Sequence, residues 1–177
     1  MYEFLNDTYF KLRPDYIVER VKMRTLCVIG ASFKRIWDLN PRLGAVEARK
    51  AYLGNLFRLS TRYAEKFYRG SWVILSPSLG YVFPDEKIID RDKVDPSKML
   101  NNSFLARLVV QVREKSLDLY SSVIAIGGSH YVEAVKYSLP FARVYFPLRK
   151  LRYGEKLTVL KQALRKNTPF PLVDEVA

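Results

Sequence analysis

A glycine turn with a hydroxyl and a cation follows the first apolar run of the chain. Residues 30–34 have the sequence Gly-Ala-Ser-Phe-Lys, so exposed backbone N–H groups stand beside the hydroxyl of Ser32 and the ammonium of Lys34. This combination suits a phosphate group, because turn amides and an ammonium both complement its negative charge. The P-loop spacing G-x-x-x-x-G-K-[ST] is absent, which argues against a nucleoside triphosphatase. An ordinary tight turn is the alternative interpretation.

Polar side chains that could act in a hydrolysis follow the next two apolar runs. Ser76 comes directly after the second run and precedes an acidic loop, in which Asp85 could hold a water molecule. His130 is the only histidine, and it follows a Gly-Gly pair at the end of the third run, where it could stabilise a developing oxyanion. With one histidine and one cysteine, no histidine-based metal cluster can be built. We therefore expect neither a metal nor a cofactor.

The positive charge of the chain is concentrated towards its C-terminal end. The chain has 30 Lys and Arg against 18 Asp and Glu, a net charge of +12, and residues 141–166 alone carry eight basic residues against one glutamate. Aromatic residues are interleaved with these cations, which is how nucleic-acid grooves contact phosphates and bases. The predicted nucleic-acid-binding residues are Arg149, Lys150, Arg152, Tyr153 and Lys156. The alternative interpretation of the total charge is solubility alone.

Alternating strands and helices must position these segments. Apolar runs predict strands at residues 25–29, 72–75, 123–126 and 142–146. Apolar residues at intervals of three and four predict helices at 45–69, with a break near Gly54, then from Asp95 to before Ser121, at 130–137 and at 153–166. This alternation predicts an α/β three-layer sandwich, with a central, mostly parallel sheet of about four strands flanked by helices. Because parallel strands end at one edge, we expect the segments that follow them to meet there.

The pattern predicts one domain with a short segment at each end. Residues 1–24 contain a predicted helix that packs on the core, residues 25–166 form the α/β domain, and residues 167–177 form a peripheral tail. The chain has no apolar run of about 18 residues that would cross a membrane. The acidic residues near the start do not fit a signal peptide, and a single cysteine fits a reducing compartment. We therefore expect a cytoplasmic protein.

Several motifs occur in a fixed order between residues 25 and 164. A lysine follows the first strand, and the next helix contains Ala-x-x-x-Tyr-x-x-x-Leu-Phe. A Leu-Ser pair with a later glycine and a Pro-Asp-Glu turn follow the second strand, Gly-x-x-Tyr follows the third, and Pro-Leu with Gly-x-x-Leu closes the series. The residues are Lys34, Ala48, Tyr52, Leu56, Phe57, Leu75, Ser76, Gly80, Pro84, Asp85, Glu86, Gly128, Tyr131, Pro147, Leu148, Gly154 and Leu157.

In this order the motifs resemble an uncharacterised domain family of bacteria, archaea and viruses, a domain of unknown function. Pro77 and Ser78 stand where that family usually has Ala-Lys, and Gly30 and Ala31 stand where many members have a cysteine. The order of strands and loops is more distantly similar to the uracil-DNA glycosylase fold. That similarity implies four parallel strands in the order 2-1-3-4, with a water-activating loop after the first. This chain lacks the Asp or Asn of that loop and the His-Pro-Ser of the fourth.

Two functions follow as expectations. In the first, the chain is a glycosylase-like hydrolase that cleaves an N-glycosidic bond. Ser32 and Lys34 then hold phosphate, Ser76 and Asp85 position water or the base, and His130 stabilises the leaving group. In the second, the fold is kept without the chemistry, and the chain is a basic module that binds DNA or RNA. Both make a nucleic acid or a nucleotide the partner, and the sequence leaves open a function through a protein partner alone.

Overall fold

The computed structural model of the chain describes residues 25–173, which contain seven strands. They are β1 (Thr25–Gly30), β2 (Val46–Glu47), β3 (Trp72–Ser76), β4 (Gly80–Val82), β5 (Lys87–Ile88), β6 (Ser122–Ile126) and β7 (Arg143–Tyr145). Five of them form the central sheet in the order β4-β3-β1-β6-β7, and β2 pairs with β5 in a small antiparallel sheet. Within the central sheet β3, β1, β6 and β7 are parallel, whereas β4 runs antiparallel to β3.

Five α-helices connect these strands. They are α1 (Ala48–Ala51), α2 (Asn55–Phe67), α3 (Asn102–Glu114), α4 (Ser129–Ser138) and α5 (Tyr153–Lys166), with short 3-10 turns at Ile36–Asp38, Pro96–Leu100 and Leu117–Leu119. The predicted break near Gly54 is confirmed, because Gly54 is the residue that precedes α2. Residues 95–120 contain two helix N-caps, whereas the sequence predicts a single helix that begins at Asp95. Asp95 accepts from Ser97 N at 2.8 Å and begins a 3-10 turn, and Asn101 accepts from Phe104 N at 2.8 Å and begins α3.

Helices cover both faces of the central sheet. Along β1, Cys27 and Ile29 pack with α2 and α5, whereas Leu26 and Val28 pack with α3 and α4. Burial on both faces explains why the parallel strands are continuous apolar runs rather than alternating ones. Cys27 is fully buried, and burial raises the pKa of its thiol, so it packs as a neutral, apolar group.

The mostly parallel sheet is confirmed, but it has five strands rather than about four. The four predicted strands form its parallel part, and β4 adds an antiparallel edge strand beside β3, so the full order is not 2-1-3-4 alone. The reversal occurs at Gly80, which has a φ of 78°. This left-handed conformation is readily adopted by glycine. The sequence predicts a loop here, because Gly80–Val82 follows the segment Ser76-Pro77-Ser78 closely.

The C-terminal segment is packed more closely than the sequence predicts. Phe170 is buried, its ring stacks on that of Tyr63 with centroids 4.7 Å apart, and its backbone N–H donates to Tyr63 Oη at 2.9 Å. Residues 167–173 are therefore not a purely peripheral tail. The predicted helical segment 1–24 and residues 174–177 lie outside the described residues. Within residues 25–173, none of the helices is both long enough and apolar enough to span a membrane.

Candidate functional site

The strand order reverses between β1 and β6. From β1 the chain crosses through α2 to β3 on one side, and from β6 it crosses through α4 to β7 on the other side. Since α2 and α4 pack on opposite faces of the sheet, the loops that leave β1 and β6 separate and leave a crevice. The crevice is a pocket of about 350 Å³, which we call the switch-point pocket. Its walls come from four parts of the chain, and the lining residues are 30–34, Gly54, Leu56, Phe57, Ser60, 126–128, Tyr131 and Tyr153.

Two strand-end glycines allow an aromatic ring to form one wall of the switch-point pocket. A Cβ on Gly30 would lie 3.0 Å from the ring of Tyr131, and one on Gly127 would lie 3.1 Å from the Cβ of Tyr131. The hydroxyl of Tyr131 donates to the carbonyl of Ala31 at 2.9 Å, which fixes the ring against the end of β1. Burial raises the pKa of Tyr131 to about 12, so the phenol stays a protonated donor at neutral pH.

The rim of the switch-point pocket is suited to an anion. The helices α2 and α4 both start there after a glycine, Gly54 and Gly128, and no side chain caps either start. The first N–H groups of a helix have no acceptor inside the helix and carry its positive end, so both starts favour negative charge. Lys34 lies exposed on the same rim and has no ion-pair partner among residues 25–173.

Ser32 stabilises the loop at this rim, and its hydroxyl hydrogen is used within the protein. Its hydroxyl donates to the carbonyl of Lys34 at 2.7 Å and accepts from the N–H of Gly54 at 3.0 Å. A Cβ on Gly54 would lie 2.7 Å from the Cβ of Ser32, so this close approach depends on the glycine. Because its one hydroxyl hydrogen is already donated, Ser32 is a positioning residue for the loop rather than the phosphate donor predicted from the sequence.

The floor of the switch-point pocket is formed by its buried lining residues. Ala31, Phe57 and Ile126 are apolar, and Ser60 contributes the one polar side chain among these buried lining residues. Ser60 is not among the site residues predicted from the sequence. The sequence feature that could have identified it is a serine three residues after Phe57, on the face of α2 that is buried.

A buried ion pair lies behind the loop that carries Lys34. Arg35 is 2 % exposed and Asp90 is 1 % exposed, and Arg35 Nη1 lies 3.0 Å from Asp90 Oδ1. The same nitrogen donates to the carbonyl of Asp90 at 3.0 Å and to the carbonyl of Asp92. The guanidinium therefore joins the loop that follows β1 to Asp90, which lies 55 residues after Arg35 in the chain.

Three hydroxyl groups complete the shell of Asp90. Tyr52 Oη and Ser76 Oγ donate to Asp90 Oδ2 at 2.5 and 2.7 Å, and Ser78 Oγ donates to Asp90 Oδ1. Burial, together with the negative charge of Asp90, raises the pKa of Tyr52, which keeps its phenol protonated as a donor. We call Arg35, Tyr52, Ser76, Ser78 and Asp90 the Asp90 network. Ser76 is thus a fully buried donor to a carboxylate and does not line the pocket.

The structure does not bring Asp85 or His130 into the switch-point pocket. Because β4 runs antiparallel, it carries Asp85 back to the amino end of the sheet, where Asp85 lines a different pocket with Arg69 and Trp72, the first residue of β3. His130 does not line the switch-point pocket either. Hydrogen bonds from Ser97 and, to a smaller extent, the charge of His130 lower the pKa of Asp95. Of the five predicted catalytic residues, only Ser32 and Lys34 share one site.

The predicted nucleic-acid-binding segment borders the pocket. Arg149, Lys150 and Arg152 are exposed after β7, and Tyr153 is 57 % exposed and lines the pocket at the start of α5. Lys156 lies in the first turn of that helix and is half-buried. The guanidinium of Arg149 lies 5.1 Å from the centroid of the Phe146 ring. Within residues 25–173, no cluster of His, Cys, Asp and Glu could hold a metal ion.

The fold and pocket define an α/β domain with a crevice at the reversal of its strand order. Residues 42–162 match the model of a family of unknown function, DUF6884, and the chain belongs to that family. The chain is also similar to the uncharacterized protein YfjM of Bacillus subtilis strain 168, with 32% identity over 113 residues that cover 62% of this chain and 73% of YfjM. No solved structure matches the chain, and the similarity to the uracil-DNA glycosylase fold is not confirmed.

Proposed function

We propose that the chain binds a nucleotide, free or within a nucleic acid, in the switch-point pocket. The observation that carries the proposal is one pocket that combines an unpaired ammonium and two uncapped helix starts at its rim with aromatic side chains in its walls. The rim complements a phosphate, as helix starts do in many nucleotide sites. Phe33, Phe57, Tyr131 and Tyr153 supply the aromatic surface that a base requires.

Binding without hydrolysis is the function that this geometry supports best. Cleavage of an N-glycosidic bond needs a group that positions or activates water. None of the described residues that line the pocket is an aspartate, a glutamate or a histidine. The carboxylate of Asp90 is buried behind the loop, and both of its oxygens already accept hydrogen bonds. The binding module is therefore favoured over the hydrolase.

Replacing the rim ammonium tests the proposal. We expect wild-type protein to bind nucleoside 5′-monophosphates in isothermal titration calorimetry, and Lys34→Ala to weaken that binding roughly tenfold, because a charge-assisted contact to phosphate is lost. The matched control is Lys87→Ala, which removes an exposed lysine that does not line the pocket. The proposal is wrong if the wild type binds none of the four monophosphates, or if both variants bind them equally well.

Longer ligands test the basic segment beside the pocket. We expect Arg149→Ala with Arg152→Ala to weaken the binding of single-stranded oligonucleotides and to lower the slope of log Kd against log salt by about 1.4, since two phosphate contacts are removed and each contributes about 0.7 on a single strand. Binding of monophosphates should stay unchanged. Fluorescence anisotropy over a salt series measures the affinity for the oligonucleotide and the salt slope. Arg58→Ala with Arg62→Ala, on the exposed face of α2, is the control pair. An unchanged salt slope would rule out phosphate contacts by Arg149 and Arg152.

A further inference from the structure

Ser60 is a buried hydroxyl without a hydrogen-bond partner at the floor of the switch-point pocket. Its residue is 1 % exposed, and its Oγ finds no donor or acceptor among the described residues. A helical serine commonly donates to the carbonyl four residues earlier. Ser138 in α4 does so, to the carbonyl of Ala134 at 2.8 Å. Ser60 in α2 makes no such bond, so its hydroxyl hydrogen is donated to no described residue.

The surroundings of Ser60 supply no partner for it. The other buried lining residues, Ala31, Phe57 and Ile126, present apolar side chains. A buried hydroxyl that makes no hydrogen bond lowers stability, which makes this arrangement unfavourable in the absence of a bound polar group. A ligand that fills the floor can therefore gain affinity from a polar atom opposite Ser60 Oγ.

The charge distribution decides which end of a nucleotide reaches this floor. A phosphate at the floor would lose its hydration without meeting a cation, because Lys34 and the helix starts lie at the rim. A base has apolar faces that suit Ala31, Phe57 and Ile126, and it carries ring nitrogens and exocyclic groups along its edge. The floor therefore matches a base, and the rim matches the phosphate.

We propose that Ser60 Oγ hydrogen-bonds the polar edge of the base, so that the nucleotide enters the switch-point pocket base first. This inference rests on the proposed function and adds an orientation and a base-recognition residue to it. Ser60 then contributes to the affinity for the base and nothing to the affinity for the sugar phosphate. Lys34, in contrast, contributes to the affinity for a nucleotide and for a sugar phosphate without a base, because both carry the phosphate.

The experiment compares two ligands in two variants. AMP, GMP, CMP and UMP represent nucleotides, and ribose 5-phosphate represents the same phosphate without a base. We expect Ser60→Ala to weaken the binding of at least one monophosphate by about fivefold to tenfold, the range for one hydrogen bond, and to leave ribose 5-phosphate unchanged. The melting temperature should stay equal or rise, because an unsatisfied buried hydroxyl is removed.

Thr61→Val is the matched control. The hydroxyl of Thr61 is also buried without a partner, but Thr61 does not line the pocket. Its removal should leave the affinity for every ligand unchanged. An equal loss for ribose 5-phosphate in Ser60→Ala would overturn the base-first orientation. Wild-type affinity in Ser60→Ala for all four monophosphates would overturn the role of Ser60 and leave the proposed function standing. Absence of nucleotide binding in the wild type would overturn both.

Discussion

Replacement of Asp90 by alanine is expected to lower the free energy of unfolding by about 3–5 kcal/mol, the cost of leaving one member of a buried ion pair without its partner. Arg35, which is 2 % exposed, would lose the carboxylate with which its guanidinium forms an ion pair. The hydroxyls of Tyr52, Ser76 and Ser78 would lose their acceptor at the same time. Urea unfolding followed by tryptophan fluorescence measures the change.

Asp92→Ala is the control for the loss of an acidic side chain in the same segment. Asp92 is exposed, and it meets Arg35 through its backbone carbonyl, which alanine keeps. We expect a change within about 0.5 kcal/mol, as for most surface substitutions. In the Asp90→Ala background, Arg35→Ala should cost much less than it does alone, since the two residues act as one unit. Additive effects of the two substitutions would contradict the coupling.

The second large effect is expected at Gly80. Gly80→Ala should lower the free energy of unfolding by about 2–4 kcal/mol, which combines the cost of a left-handed conformation with the loss of two hydrogen bonds. A Cβ on Gly80 would lie 2.0 Å from Gln111 Oε1, so the amide of Gln111 would have to move. That amide accepts from Tyr81 N and donates to the carbonyl of Leu79, both at 2.9 Å. Urea unfolding again measures the change.

Gly70→Ala is the control, because Gly70 has nearly the same φ as Gly80 but a Cβ on it would contact no other atom. Its φ is 77°, against 78° for Gly80, and nothing lies within 4 Å of a Cβ built on it. Gly70→Ala should therefore cost only the backbone part, about 1–2 kcal/mol. The difference between the two variants measures the contribution of Gln111. If the two variants were equally destabilised, the bonds of Gln111 across the β3–β4 turn would contribute nothing.

The parallel part of the sheet is predictable from the sequence because each of its strands is locally marked. The strands buried on both faces are continuous apolar runs, and a glycine ends β1 and two glycines follow β6. The strand β4 carries no such mark, since Gly80–Val82 lies in a segment with Pro77, Gly80 and Pro84 that is typical of a loop. Asp95 and Asn101 are both good caps, and tertiary packing rather than local chemistry determines that α3 begins after the second.

The candidate site is predictable only where its residues directly follow a predicted parallel strand. Lys34 follows β1 within the next few residues, and topology therefore places it at the pocket. The position of Asp85 depends on whether the chain reverses its direction after β3. No local sequence pattern predicts that reversal. Arg35 and Asp90 are separated by 55 residues, so neither identifies the other from sequence. For Ser60, the sequence shows a polar residue on an inner helix face but not whether a backbone carbonyl satisfies it.

The walls of the switch-point pocket come from four distant parts of the chain, of which the last is Tyr153. A ribosome that has released residues up to Ser138 has therefore produced β1, β3, β6 and α4 but not the whole pocket. An unfinished chain can begin to bury its core while still lacking part of its ligand site. A ligand that binds only the assembled pocket stabilises the finished chain selectively, by a free energy that grows with the logarithm of its concentration over Kd. Ligand supply would then set how long newly made molecules survive proteolysis.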